Sequence, residues 1–109
     1  MIFYIIINDD LHMKKGKIIS QIVHITQKII EEIIRDGYEN FPLSDLYKKY
    51  MEWKKYDKTI ILKGKQKDIN ELIKYKYSRH YIDNNKITVV GLLPDNYENN
   101  ELINNLKLL

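Results

Sequence analysis

The sequence predicts an α/β fold: a small mixed β-sheet of about four strands flanked by helices, an α/β/α sandwich. Three observations predict it. Short apolar runs alternate with segments of helical period, the order expected of a mixed or parallel sheet. The first run, IFYIIIN at 2–8, is β-branched and aromatic throughout, which suits a strand buried on both faces beneath helices. Hydrophobic residues make up 44% of a chain of 109 residues, so 1–109 reads as a single domain with one core.

The elements follow in order. After the first strand comes a loop, DDLHMKKG. From Lys17 to Arg35 the apolar positions Ile18, Ile19, Ile22, Val23, Ile25, Ile29, Ile30, Ile33 and Ile34 cover about half a helix circumference, a broad stripe for packing on a sheet. Asp36-Gly37 is expected to close this helix, with glycine at C′. A loop and a shorter helix follow, with Ser44 as candidate N-cap. KTIILKG (58–64) is the second strand. KQKDINELIKYKYSRH (65–80) places Ile69, Leu72, Ile73 and Tyr77 on one helical face. YID (81–83) is a brief strand or a turn, and KITVVGLLP (86–94) is the third clear strand. The last segment, ENNELINNLKLL, reads as a short helix and an extended apolar tail, whose exposed residues can support a homodimer.

Composition narrows the chemistry. There is no cysteine, so no disulfide, thiolate metal site or cysteine nucleophile is available. His12, His24 and His80 show no metal-ligand spacing. The apolar N-terminus is too short to span a membrane and lacks a basic lead, so a soluble, cytoplasmic protein is expected. A net charge of +3 permits a nucleic-acid partner without requiring one. The chain has no alanine and is rich in Ile, Lys, Asn and Tyr, a bias of low-GC genomes that lowers the weight of any one lysine.

Lys14, Lys15 and Lys17 nevertheless crowd the start of the first helix, where the dipole favours acids and unpaired N–H groups favour anions. At about 100° per residue, Lys17, Gln21, His24 and Lys28 fall within about 60° of one another, opposite the isoleucines. The strip combines a cation, an amide and an imidazole beside the loop carboxylates Asp9 and Asp10. The solvated face of an ordinary amphipathic helix offers similar residues. KYKYSRHY (74–81) and YKKYMEWKKY (47–56) interleave tyrosine with basic residues, a mix that either stacks bases or flanks helices.

FYIIINDDLHMKKGKIISQIVH resembles the N-terminal signature of the type-2 peptidyl-tRNA hydrolases: an apolar strand, Asp-Leu-x-Met, a Gly-Lys pair, then Gln and His at this spacing. Asp10, Leu11, Met13, Gly16, Lys17, Gln21 and His24 carry it. TVVGLLP and the closing ELINNLKLL are similar to the family's last strand and its Leu-Lys-Leu-Leu ending. KTIILKG, with Trp53 ahead of it, sits where the family has its second strand. The resemblance implies a small mixed sheet covered by helices. It implies an esterase that cleaves the bond between a peptide and the 3′ ribose of tRNA, without a metal or covalent cofactor. Lys14, Lys15, Lys17 and Lys28 would then meet tRNA phosphates.

The resemblance is incomplete. Asp83 matches the Asp that opens the family's second active segment, and Thr88 the threonine that opens its final strand. The Ala-Gly-x-Thr-Gln loop between them is missing, and Asn84-Asn85 reads as a tight turn in its place. Asn8 stands where the family has arginine. Ile18, Ile19 and Ile25 replace small alanines, so the first helix is expected to sit farther from the sheet.

Ester hydrolysis needs a positioned water, charge stabilisation at the carbonyl oxygen and proton transfer to the leaving ribose. Lys17 can stabilise charge or hold a phosphate, and Gln21 can orient water or substrate. His24 is either an acid/base or a packing residue. Asp10 anchors Lys17 or the loop. Asp83 either faces Lys17 and completes a reduced site, or serves only the turn. The competing readings are a catalytically impaired relative that binds tRNA or a protein, and a plain interaction domain.

Overall fold

The computed structural model describes residues 1–109. The apolar run forms β1 (Ile2–Asn8), followed by a 3-10 turn at Asp9–Leu11. The other elements are α1 (Lys15–Glu39), α2 (Asp45–Lys54), β2 (Thr59–Gly64), α3 (Gln66–Leu72), β3 (Ser78–Asp83), β4 (Lys86–Asp95), α4 (Glu101–Asn104) and β5 (Lys107–Leu108). The sheet order is β3-β4-β1-β2-β5. Only β1 and β2 run parallel; β1–β4, β3–β4 and β2–β5 are antiparallel. No helix is long and apolar enough to cross a membrane.

Alternation along β1 builds the two halves of the core. Phe3, Ile5 and Ile7 face α1, where they meet Ile25, Ile29, Ile33, Val89 and Leu93. Tyr4 and Ile6 face the other way, onto Leu62, Ile69, Leu72, Val90, Leu92 and Ile103. Helices thus cover both faces, as the continuous apolar run requires. The sheet has five strands where about four were expected. The extra one is the apolar tail, which pairs Lys107 and Leu108 with the edge of β2.

Several boundaries differ from the sequence reading. The first helix does not end at Gly37. It runs to Glu39, and Gly37 is buried inside it. A Cβ at Gly37 would come within 2.6 Å of the Tyr47 ring, so this glycine exists to let α2 lie against α1. The buried ridge of α1 is also narrower than predicted. Gln21, Ile25, Ile29, Ile33 and Gly37 line it at intervals of four, while Ile19, Val23 and Ile34 are more than half exposed. Helix α3 stops at Leu72, so Tyr77 lies beyond it, and YID is the end of a six-residue strand.

Of the isoleucines expected to hold α1 off the sheet, Ile25 packs over Gly91 beside Ile29, while Ile19 is more than half exposed. A Cβ on Gly91 would overlap Ile29 Cδ1 and come 3.0 Å from Ile25 Cγ1. Edge strand β3 is strapped to α1 by Arg79, whose guanidinium forms a forked pair with Glu32 at 2.6–3.0 Å.

Candidate active site at the start of α1

The β3–β4 hairpin closes through Asn84 and Asn85, both at positive φ (51° and 63°), the geometry of a two-residue primed turn. Asparagine tolerates this region better than most residues. The turn sets Asp83 opposite Lys86, and β3's side-chain alternation points Arg79, Tyr81 and Asp83 toward α1.

Helix α1 begins at Lys15, with Lys14 as N-cap; its first turn contains no acid and no side-chain cap. Two residues further in, Lys17 Nζ meets Asp83 Oδ2 at 2.7 Å. This hydrogen bond holds the Asp83 carboxyl below the usual carboxylate range. Partial desolvation opposes the shift, and the Lys17 charge, the Asn84 backbone and the His24 charge assist it.

Gln21, one turn along, reaches the sheet through an irregularity. Tyr81 pairs with Val89 and Ile82 with Ile87, which leaves Thr88 as an extra residue in β4. Such a bulge re-aims a side chain. The Thr88 hydroxyl donates to Gln21 Oε1 at 2.6 Å, and both residues are buried. Gln21 Nε2 donates to Ser20 Oγ at 3.3 Å. His24 is exposed, and its ring stacks on Tyr81 with centroids 4.8 Å apart and planes 19° from parallel.

Lys17, Gln21, His24 and Asp83 therefore lie together, joined by Thr88 and Tyr81. Asp10 does not reach Lys17. Its carboxylate accepts the Gln66 N–H at 2.7 Å and anchors the loop to the start of α3. Lys28 Nζ donates to the His80 carbonyl at 2.9 Å. Burial, aided by the Lys28 charge, pushes the His80 imidazole down. Lys14 and Lys15 are exposed.

Sequence reasoning noted Asn8 only as a departure from the family's arginine and missed its role. It is fully buried at the end of β1, where its amide donates to Gln66 Oε1 (2.7 Å) and the Ile87 carbonyl (2.9 Å). Its Oδ1 accepts the Asp10 N–H at 3.2 Å. One side chain thus ties β1, α3 and β4 together beneath the site. A polar residue ending an otherwise apolar strand was the visible signal for that role.

The arrangement is an open shelf at the carboxyl end of β1. No three histidine, aspartate or glutamate side chains converge as a metal site. A cleft of about 570 Å³ lies at the far end of α1, lined by Gly37, Phe41, Tyr47 and Met51, and shares no residue with the shelf. An open shelf suits a macromolecule better than a small ligand, which needs an enclosed pocket.

The family model described as Peptidyl-tRNA hydrolase PTH2 matches residues 1–109, the whole chain. The chain belongs to this family. No curated protein sequence matches it significantly. The Lys17–Asp83 pair sets a cation and a carboxylate side by side at the surface of this family member.

Proposed function

We propose that the protein is a peptidyl-tRNA hydrolase that cleaves the ester between a peptide, or an N-blocked amino acid, and the 3′ ribose of tRNA. The Lys17–Asp83 pair carries this reading. It sets a fixed cation beside a carboxylate that stays ionised. Lys17 stabilises the oxyanion that develops when water attacks the ester carbonyl. Asp83 orients Lys17 and accepts a hydrogen bond from that water. The attacking water gives its proton to the His24 imidazole; as the tetrahedral intermediate collapses, the carbon–oxygen bond to the ribose breaks and the 3′ oxygen takes up that proton. His24, exposed and held flat by Tyr81, is the imidazole within reach of that transfer.

Gln21, tied to Thr88, fixes the helix start against the hairpin. Asp10 supports the loop. Lys14, Lys15, Lys17 and Lys28 supply positive charge for the acceptor-end phosphates. The activity belongs with translation in the cytoplasm.

The test is release of labelled acetyl-amino acid from acetyl-aminoacyl-tRNA, with Lys17→Ala alongside. The expected result is release by the wild type and a loss of about 100-fold or more in the variant, the scale of removing one oxyanion donor. The Asn84-Asn85 turn, which leaves no room for a longer catalytic loop, favours a second reading as a tRNA-binding relative without activity. Wild-type protein that binds tRNA but releases nothing above background establishes that reading instead.

A further inference from the structure

Charge is unevenly distributed over this molecule. The carboxyl ends of β1 and β2, the tip of the β3–β4 hairpin and the start of β5 share one rim of the sheet. Segments 9–17, 63–68 and 83–86, with Lys107, carry eight lysines against four aspartates. The rest of the chain carries ten basic and eleven acidic side chains. The positive charge of the whole protein therefore sits on this rim.

Three of the rim's four aspartates are also occupied. Asp83 pairs with Lys17, Asp10 accepts the Gln66 N–H, and Asp68 accepts the Lys65 N–H at 2.9 Å. Of the six ion pairs in the molecule, five lie elsewhere, and Lys17 is the one rim lysine that has a partner.

Lys63, Lys65, Lys67 and Lys107 border a cleft of about 380 Å³ on the β2–β5 side, together with Asp9, Asp68 and Asn105. Lys63 and Lys107 stand directly opposite each other in the antiparallel register. Like charges so placed destabilise a sheet. Lysine on an edge strand guards against strand-to-strand aggregation, which accounts for Lys107. It does not account for Lys65 and Lys67, which lie off the strand.

We propose that Lys63, Lys65, Lys67 and Lys107 form a second arm of the RNA-binding surface, which grips the phosphate backbone of the tRNA beyond its reacting end. This rests on the hydrolase reading above. From β3 to β5 is four strand spacings, about 19 Å, so the rim is wide enough to follow several successive phosphates while the ester lies at Lys17. The contacts are to backbone and not to bases, so they add affinity for any tRNA without selecting a sequence.

The experiment compares wild type, Lys63→Gln/Lys65→Gln/Lys67→Gln, and the off-rim control Lys54→Gln/Lys55→Gln/Lys58→Gln, all as full chains. Each is assayed on acetyl-aminoacyl-tRNA and on the small ester acetyl-aminoacyl-adenosine. In the rim variant, KM for the tRNA substrate should rise about 10-fold with kcat held, and the log–log salt dependence of tRNA affinity should flatten by about 3. The small ester and the control should show no change. Wild-type KM and salt slope in the rim variant overturn the proposal while leaving the hydrolase reading intact. If wild type hydrolyses nothing, the hydrolase reading fails, and direct tRNA binding by the same three proteins decides the rim. Weakening confined to the rim variant supports it; equal binding, or none, overturns it.

Discussion

Thr88→Val removes one oxygen and keeps the shape of the side chain. Its consequence follows from the pairing of that oxygen. Gln21 Oε1 lies on a residue only 3% exposed and takes its 2.6 Å hydrogen bond from Thr88, itself 2% exposed. Water has no easy route to replace the donor. An acceptor left unmade in such a place costs about 1–3 kcal/mol. In a domain of about 100 residues each kcal/mol moves Tm by about 4–8 °C, so Tm should fall by about 4–24 °C. The complementary variant, Gln21→Leu, should cost less, because the Thr88 hydroxyl keeps the Tyr81 carbonyl at 3.3 Å as a partner. Combining the two removes both polar groups and should restore part of the loss, since replacing both members of a buried pair is close to neutral. Urea unfolding of the four proteins completes the cycle. Thr88→Val within about 0.5 kcal/mol of wild type refutes the reasoning. So does a double variant whose loss equals the sum of the two single losses.

Two further outcomes are expected. The depressed Asp83 carboxyl stabilises the fold above the usual carboxylate range, and that contribution is lost as pH falls through its lowered value. NMR titration should show Asp83 protonating at higher pH in Lys17→Ala than in wild type; an unmoved curve removes Lys17 as the cause. Gly91→Ala should destabilise by about 1–3 kcal/mol by driving a methyl into Ile29, and Ile29→Val, which deletes the overlapping carbon, should recover part of that loss in thermal melts.

Local information was legible wherever it was sufficient. The runs that became β1, β2 and β4 were readable because continuous β-branched sequence has few other uses. The polar strip at Lys17, Gln21 and His24 was readable because helical spacing alone puts these residues together. Asn84-Asn85 was readable as a turn because the dipeptide suits positive φ. What escaped depends on distant partners. Gly37 carries a helix-cap signal, and Tyr47, ten residues on, decides that it packs instead. Tyr81 sat in a tyrosine-lysine stretch of ambiguous meaning until β3 was registered against β4. The Thr88 bulge exists only in that register and has no signature in the chain. Neither does β5, two residues long and held by pairing alone.

The tight hairpin at Asn84-Asn85 has a kinetic consequence. A long flexible loop over a site must be ordered each time a substrate binds, at about 1–2 kcal/mol per residue in lost backbone freedom. Here that ordering is completed when the chain folds, because both turn residues are already fixed between paired strands. In the proposed complex, a tRNA arriving at this shelf meets a hairpin already in its final shape. If the rim holds tRNA as proposed, long-range attraction by its charge, and not ordering of this hairpin, governs how quickly the two partners meet.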